Sequence, residues 1–521
     1  MPVTTPLRPW REHLSTRSDP TSVDLGAGGT LVGAFTARWS AEPSSPVLGA
    51  PDGDGATGRY RWLVADELEE ASRRAAHRLL GTGAVPGDRV MWSVGSSLEG
   101  IVAHLGALRA GLVVVPVNPA YGAREVGHIA ADVRPRVAVV DDPVRGRWAR
   151  EALGGDLVVV GPDLALPEGS EVAALDAAAP DDPALVCFTS GTTGRPKGAV
   201  LRHRNLLASA RSVALAWRWT ADDRLVHALP VFHAHGLCVG IYGTLVTGAS
   251  AVLLPSFDPG AVAGQAASPS SSLFFGVPTM YHRLLGSGHL AALARLRLCV
   301  SGSAPLAADL HRRCSEVLAT PVLERYGMTE TLMNVSNPFA GPRRAGTVGF
   351  PLPGVEVQLG SGGEVRVRGP NVFDHYWERP AATAEAFAPA TDGGAPWFAT
   401  GDLGAVDDDG YLVLRGRSSE LVITGGFNVY PAEVEDVLRT HPSVADVAVV
   451  GTPSEEWGEV VTAFVVADGP PPTVEDLATV CAGVLADYKR PRLVHAVDRL
   501  PRNSLGKVVR AELRAAVGRT G

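Results

Sequence analysis

The sequence predicts an α/β protein: a large N-terminal domain of layered α/β subdomains, followed by a smaller α+β C-terminal domain. Three observations carry this. At 521 residues the chain exceeds one ordinary core and should divide into at least two domains. From about residue 60 to 300, short β-branched runs alternate with amphipathic segments. After Gly346, and again after Arg417, the texture changes.

In order along the chain, the first 28 or so residues read as loop. Leu112–Val117, Val137–Val140, Leu157–Val160 and Leu185–Phe188 read as buried strands. Between them lie helical patterns; Leu98, Ile101, Val102, Leu105 and Leu108 share one face, and Gly111 stops that helix. Such alternation implies parallel sheets with crossover helices and ligands at the carboxyl ends of strands. Strand Leu296–Val300 runs into Ser301-Gly302-Ser303-Ala304-Pro305, where Pro305 suits the first turn of a helix. Glu356–Leu359, Glu364–Val367 and Tyr411–Leu414, between Gly and Asp turns, predict a small antiparallel subdomain. Pro431 opens a helix with a Val434, Val437, Leu438 stripe; strands Val444–Val450 and Val460–Val466 follow, and Gly469–Pro472 is loop. These patterns divide the chain into 1–416, a hinge at 417–420, and 421–521.

The formal charge of −8 excludes general affinity for nucleic acid or an anionic membrane, so local basic groups must do any phosphate binding. Apolar runs stop well short of the ~20 residues a membrane span needs. The N-terminus, with Arg8, Arg11, Glu12 and Arg17, has no apolar signal core. Five scattered cysteines without metal-ligand spacing read as reduced buried thiols, and the expected location is cytoplasmic.

Thr189-Ser190-Gly191-Thr192-Thr193-Gly194-Arg195-Pro196-Lys197-Gly198 follows the strand Leu185–Phe188. Its glycines let backbone approach an anion, while its hydroxyls and Lys197 donate to oxygens. The spacing is not that of a Walker loop. The string resembles the phosphate-binding signature of the adenylate-forming superfamily, which includes acyl-CoA synthetases, adenylation domains of peptide synthetases, and luciferases.

Further motifs extend that resemblance over roughly residues 60–515. Ser303-Ala304-Pro305 resembles the turn lining the adenine and acyl pockets. Tyr326-Gly327-Met328-Thr329-Glu330 resembles the segment in which Tyr stacks on adenine, Thr meets the α-phosphate and Glu holds Mg²⁺. Asp402, in Trp397-Phe398-Ala399-Thr400-Gly401-Asp402, resembles the ribose ligand, and a carboxylate suits a vicinal diol. Arg417 would add a second ribose contact; Ala399 and Ser419 depart from residues common in the family. Lys507, in Pro501-Arg502-Asn503-Ser504-Leu505-Gly506-Lys507, resembles the catalytic lysine. Gly425-Gly426 would border the coenzyme A channel.

The resemblance implies that the antiparallel subdomain forms a small β-barrel and that the C-terminal domain is mobile. It also implies an ATP-dependent ligase that makes an acyl-adenylate and passes the acyl group to coenzyme A; a separate acyl carrier protein is the alternative acceptor. His233, in Pro230-Val231-Phe232-His233-Ala234-His235-Gly236, resembles the acyl-pocket gate, where amino-acid-activating relatives carry Asp. The stretches Phe275–Arg283, Val300–Pro305 and Glu324–Asn334 resemble the malonyl-CoA synthetases. Malonate or methylmalonate is then the expected acid, with another short carboxylic acid as the alternative, bound by Arg283 and Ser303 with His233 and Met328 lining its pocket. A second, unreacted carboxylate needs a fixed cation, and Arg offers a matching fork.

Overall fold

The computed structural model describes residues 10–14, 25, 29–52, 59–166, 174–189, 196–390, 392–454, 456–503 and 506–517. Among these, two large sheets form the N-terminal layers. One runs Phe350–Pro351, Leu332–Ser336, Leu323–Met328, Leu298–Ser301, Leu273–Gly276, Arg224–His227, Ser250–Leu253, Pro46–Pro51, Tyr60–Val64. Its middle strands, from Leu323–Met328 to Pro46–Pro51, are parallel, and antiparallel strands close both edges. The second is parallel from Pro183–Thr189 through Val113–Pro116, Arg89–Ser93 and Val137–Val140 to Val158–Val160. Lys197–Arg202 and His375–Tyr376 extend it antiparallel.

All four strands predicted from β-branched runs are present, at Val113–Pro116, Val137–Val140, Val158–Val160 and Pro183–Thr189, but Val158–Val160 lies at the sheet edge and is only partly buried. Helix Leu98–Arg109 starts where the Ser97 side chain accepts from the Gly100 N–H. Gly111, at φ +71°, turns the chain directly beyond it. The helix expected at Pro305 begins three residues later, at Ala308–Val317. The Leu306 N–H is held by Glu324 Oε1 at 2.9 Å and Ala307 is extended, so the turn cannot close sooner. Strand Pro46–Pro51 was not predicted; proline at both ends disguised it.

Glu356–Leu359, Glu364–Arg368, Trp397–Val406, Phe387–Ala388 and Leu412–Arg417 form an antiparallel sheet where the small β subdomain was expected. After the short turn Ser418–Glu420, a fourth sheet takes all its strands from residues beyond 420. It packs Val447, Val449, Val461 and Val465 against Val434 and Leu438 of helix Pro431–Leu438. All five cysteines are buried and unpaired with one another. Among the described residues, no helix is long and apolar enough to cross a membrane.

Candidate active site

A cleft of about 950 Å³ opens at the carboxyl ends of the parallel strands, where crossover topology leaves room for ligands. Both large sheets, the antiparallel sheet and the C-terminal segment contribute walls.

Thr189 and Lys197 face each other across an antiparallel pair, and both line the cleft. Ser190, Gly191, Thr192, Thr193 and Gly194 lie outside the described residues. Lys197 Nζ stands 5.2 Å from the Tyr376 ring centroid. The Tyr376 hydroxyl donates to Glu330 Oε1 at 2.9 Å, so one tyrosine connects the phosphate-loop lysine to the candidate metal carboxylate. Burial raises the Glu330 carboxyl above its ordinary range, against the Tyr376 hydrogen bond. A lone carboxylate lining a cleft fits Mg²⁺ when substrate phosphates complete the coordination shell. Gly327, Met328 and Thr329 line the same wall.

Tyr326 is buried, and its hydroxyl donates to Asp402 Oδ2 at 2.5 Å. Arg417 Nε pairs with Asp402 Oδ1 at 2.8 Å. The three expected nucleoside contacts are therefore one linked group with the carboxylate held from both sides, but of the three only Arg417 lines the cleft. Ser303 lines the cleft; Ala304 and Pro305, next in the motif, do not.

Lys507 reaches the cleft on a loop that closes on itself. Asn503 N–H donates to the Lys507 carbonyl at 2.9 Å, and Lys507 N–H donates to Asn503 Oδ1 at 3.0 Å. Gly506, at φ +78°, lies against Thr279, where a Cβ would come within 2.9 Å of the hydroxyl oxygen. Only glycine allows both that backbone angle and that approach. Burial, then Arg417, lowers the Lys507 ammonium pKa.

The acyl end holds the largest surprise. Arg283 is exposed, stacked with its guanidinium carbon 4.9 Å from the Phe257 ring centroid, and does not line the cleft. The expectation that it meets the acid is therefore not matched by this geometry. Helix Pro278–Gly286 buries Met280, Tyr281 and Leu284, which turns position 283 outward. Arg325 lines the cleft instead: it is 5% exposed, and Nε and Nη2 have no hydrogen-bond partner among the described residues. Burial pushes its guanidinium down to about 9. Beside it, His235 Nδ1 is 3.1 Å from Ser303 Oγ, and His235 N–H donates to His233 Nδ1 at 3.3 Å. Burial, then Arg325, pushes His233 down to about 4 and His235 well below its ordinary value, so both are neutral at neutral pH.

Arg325 and Tyr376 were missed. The signal for Arg325 was available, because two charged residues, Glu324 and Arg325, stand within the buried Leu323–Tyr326 run. Tyr376 sits on a two-residue strand without a local signal. Gly425 and Gly426, at φ +55° and +83°, form the exposed turn between Val422–Thr424 and Phe427–Val429, away from the cleft. Phe427 stacks on Tyr488 beside that turn, with ring centroids 4.6 Å apart.

The arrangement gathers cations, hydroxyl donors and one buried carboxylate around a space open to a phosphorylated ligand and a small acid. The model of the AMP-binding enzyme family matches residues 35–377, and that of the AMP-binding enzyme C-terminal domain matches residues 433–507. The chain belongs to this family. A malonate–CoA ligase of Arabidopsis thaliana is 32% identical, over 94% of this chain and 89% of its own. A feruloyl-CoA synthase of an Amycolatopsis species is 36% identical, over 88% and 94%. ATP-bound MatB from Rhodopseudomonas palustris is 38% identical, with a TM-score of 0.85 over 93% of this chain and 98% of its own. This AMP-binding enzyme is thus an AMP-forming acyl-CoA synthetase, a ligase whose substrates are ATP, coenzyme A and a carboxylic acid.

Proposed function

We propose that this synthetase activates malonate, giving malonyl-CoA, AMP and diphosphate through malonyl-adenylate, and that it also accepts methylmalonate. The observation that carries this reading is Arg325. A buried guanidinium with two unpartnered nitrogens at the acyl end calls for an anion, and a monocarboxylate supplies none once its carboxylate has reacted. Ser303 supplies a hydroxyl next to it, while the neutral His233 and Met328 shape the pocket. Methylmalonate differs by one methyl group, worth only ~1–3 kcal/mol in discrimination.

In the first half-reaction, a malonate carboxylate oxygen attacks the α-phosphorus of ATP and diphosphate leaves. Lys507 bridges the attacking carboxylate and the α-phosphate, and Thr329 donates to that phosphate. Lys197 and the hydroxyls of residues 189–193 hold the departing diphosphate, and Asp402 with Arg417 holds the ribose. Glu330 would hold Mg²⁺, which supplies charge neutralisation on the phosphates. In the second half-reaction the coenzyme A sulfur attacks the acyl carbon, AMP leaves, and the thiol proton passes to solvent. Residues 417–420 serve as the hinge between domains 1–416 and 421–521, and Gly425-Gly426 moves to the thiol channel in that step. Five unpaired thiols suit a reducing compartment, the cytoplasm.

The test is kcat/KM for malonate, methylmalonate, butyrate and ferulate, with and without coenzyme A, in wild type, Arg325→Met and Arg283→Ala. Arg325→Met should lower malonate turnover by ~3–5 kcal/mol, several hundred-fold or more, and spare butyrate. Equal loss for malonate and butyrate defeats the dicarboxylate reading. Loss confined to Arg283→Ala returns the anion contact to that residue. Thioester formation on a carrier protein but not on coenzyme A would reassign the acceptor.

A further inference from the structure

Arg510 opens the last helix, Arg510–Val517, three residues beyond Lys507. It is largely buried and makes three contacts through three different nitrogens. Nη2 pairs with Glu435 Oε1 at 2.7 Å and Nε donates to the Val449 carbonyl at 3.2 Å. Nη1 pairs with Glu420 Oε2 at 3.0 Å. The first two contacts lie inside the C-terminal layer, where Glu435 Oε1 also accepts from the Val449 N–H at 2.8 Å. The third is different in kind, because Glu420 ends the short turn Ser418–Glu420 that joins the two halves of the chain.

The described residues on either side of Lys507 are tied to one another and to the layer beneath. Val509 N–H donates to the Pro501 carbonyl at 2.8 Å, Arg502 and Val508 form a bridge, and Arg502 pairs with Asp446 at 2.6 Å. Leu500 before it and Leu513 after it are buried in one cluster. A lysine whose described neighbours are tied in this way goes where the base of the segment is held, and Arg510 stands at that base.

We propose that the Glu420–Arg510 ion pair is a latch, and Arg510 a positioning residue: it fixes the lysine loop to the linking turn in the arrangement that brings Lys507 into the cleft. The proposal rests on the reading of Lys507 as the adenylating lysine and of 417–420 as the hinge. Glu435 and Val449 keep the guanidinium seated while Glu420 is free to leave with a change in the turn. A low-exposure pair with a planar fork holds geometry better than a surface contact would. The latch therefore acts on the first half-reaction only.

The experiment uses the full-length enzyme with Glu420→Gln, Arg510→Lys and Lys507→Ala. Acid-dependent diphosphate release reports the first half-reaction, and coenzyme A thioester formed from supplied acyl-adenylate reports the second. Glu420→Gln should slow the first by about 10- to 100-fold and leave the second, the KM for ATP and the melting temperature unchanged within error. Arg510→Lys keeps the charge but cannot span three partners, so it should slow the first half-reaction more than the second, with a lowered melting temperature from the lost Glu435 and Val449 contacts. Equal losses in both half-reactions, or loss with lowered melting temperature in both variants, would make the pair merely structural and overturn the latch. Normal adenylation in Glu420→Gln beside a dead Lys507→Ala overturns the latch while leaving the lysine's role intact. Full adenylation in Lys507→Ala would overturn both.

Discussion

Arg325→Met should make the ligand-free enzyme more stable while depriving it of its acid. The guanidinium is 5% exposed on strand Leu323–Met328, with two nitrogens lacking a partner among the described residues. Each buried polar group left unsatisfied costs about 1–3 kcal/mol, so two cost at least about 2 kcal/mol. Met is close to Arg in length and carries no donor, so it removes that cost without leaving a large cavity. With an unfolding entropy of ~2.1 cal/mol/K per residue over about 420 residues, 2 kcal/mol raises the melting temperature by about 2 °C. Malonate at 100 times its Kd adds ~2.7 kcal/mol to wild type, about 3 °C on the same scale, and nothing to the variant. Differential scanning fluorimetry with an ATP analogue that cannot transfer AMP, with and without malonate, should therefore show the two proteins exchanging rank. A variant that melts lower than wild type without malonate would mean that Arg325 is already satisfied, and the anion argument would fall.

Three further outcomes follow from the site. Lys507→Ala should cut adenylation by ~10²–10³ and spare thioester formation from supplied adenylate; because burial lowers the Lys507 pKa, wild-type adenylation should fall, as pH rises, at a pH below the 10.5 of a free lysine. Tyr376→Phe keeps the ring beneath Lys197 but removes the donor to Glu330, so more Mg²⁺ should be needed for half-maximal adenylation while the KM for acid holds; an unchanged Mg²⁺ titration would deny Tyr376 that role. Burial pushes the Glu324 carboxyl up to about 8 from 4.5, so the folded state holds a proton that the unfolded state releases; the resulting stability is present below pH 4.5 and lost as pH rises through 8. Melting temperature should accordingly drop more steeply from pH 6.5 to 9 in wild type than in Glu324→Gln, and parallel curves would contradict that assignment.

Periodic elements were legible in the sequence because burial writes them there. Val137–Val140 is a continuous apolar run since both faces of a parallel strand are covered, and Pro431 marks a helix start by its fixed φ and missing donor. Strand Pro46–Pro51 was hidden because its own residues carry turn signals, although it pairs with the nearby Tyr60–Val64 as well as with the distant Ser250–Leu253. In the site, residues in contiguous motifs (Thr189, Lys197, Met328, Glu330, Lys507) were found, and the structure brings them to one cleft. Tyr376 sits on a two-residue strand that leaves no local pattern, whereas Arg325 was marked by its charge within a buried run. Arg283 was singled out by resemblance alone, and helix phase, set by Met280 and Leu284 packing inward, turns it away.

The buried cysteines have a bearing on product fidelity. An acyl-adenylate is a strong electrophile, and any thiolate within reach would capture the acyl group and inactivate the enzyme. Cys187 and Cys238 neighbour the cleft-lining Phe188 and Val239, yet both are buried and neither lines the cleft. Burial pushes Cys187 and Cys299 up to about 12 and Cys314 up to about 11, and raises Cys238 and Cys481 as well. At neutral pH their thiolate fractions are negligible, and the thiolate is the reactive form. An enzyme that ends its work by handing an acyl group to a sulfur has silenced its own sulfurs, so the incoming coenzyme meets no internal competitor.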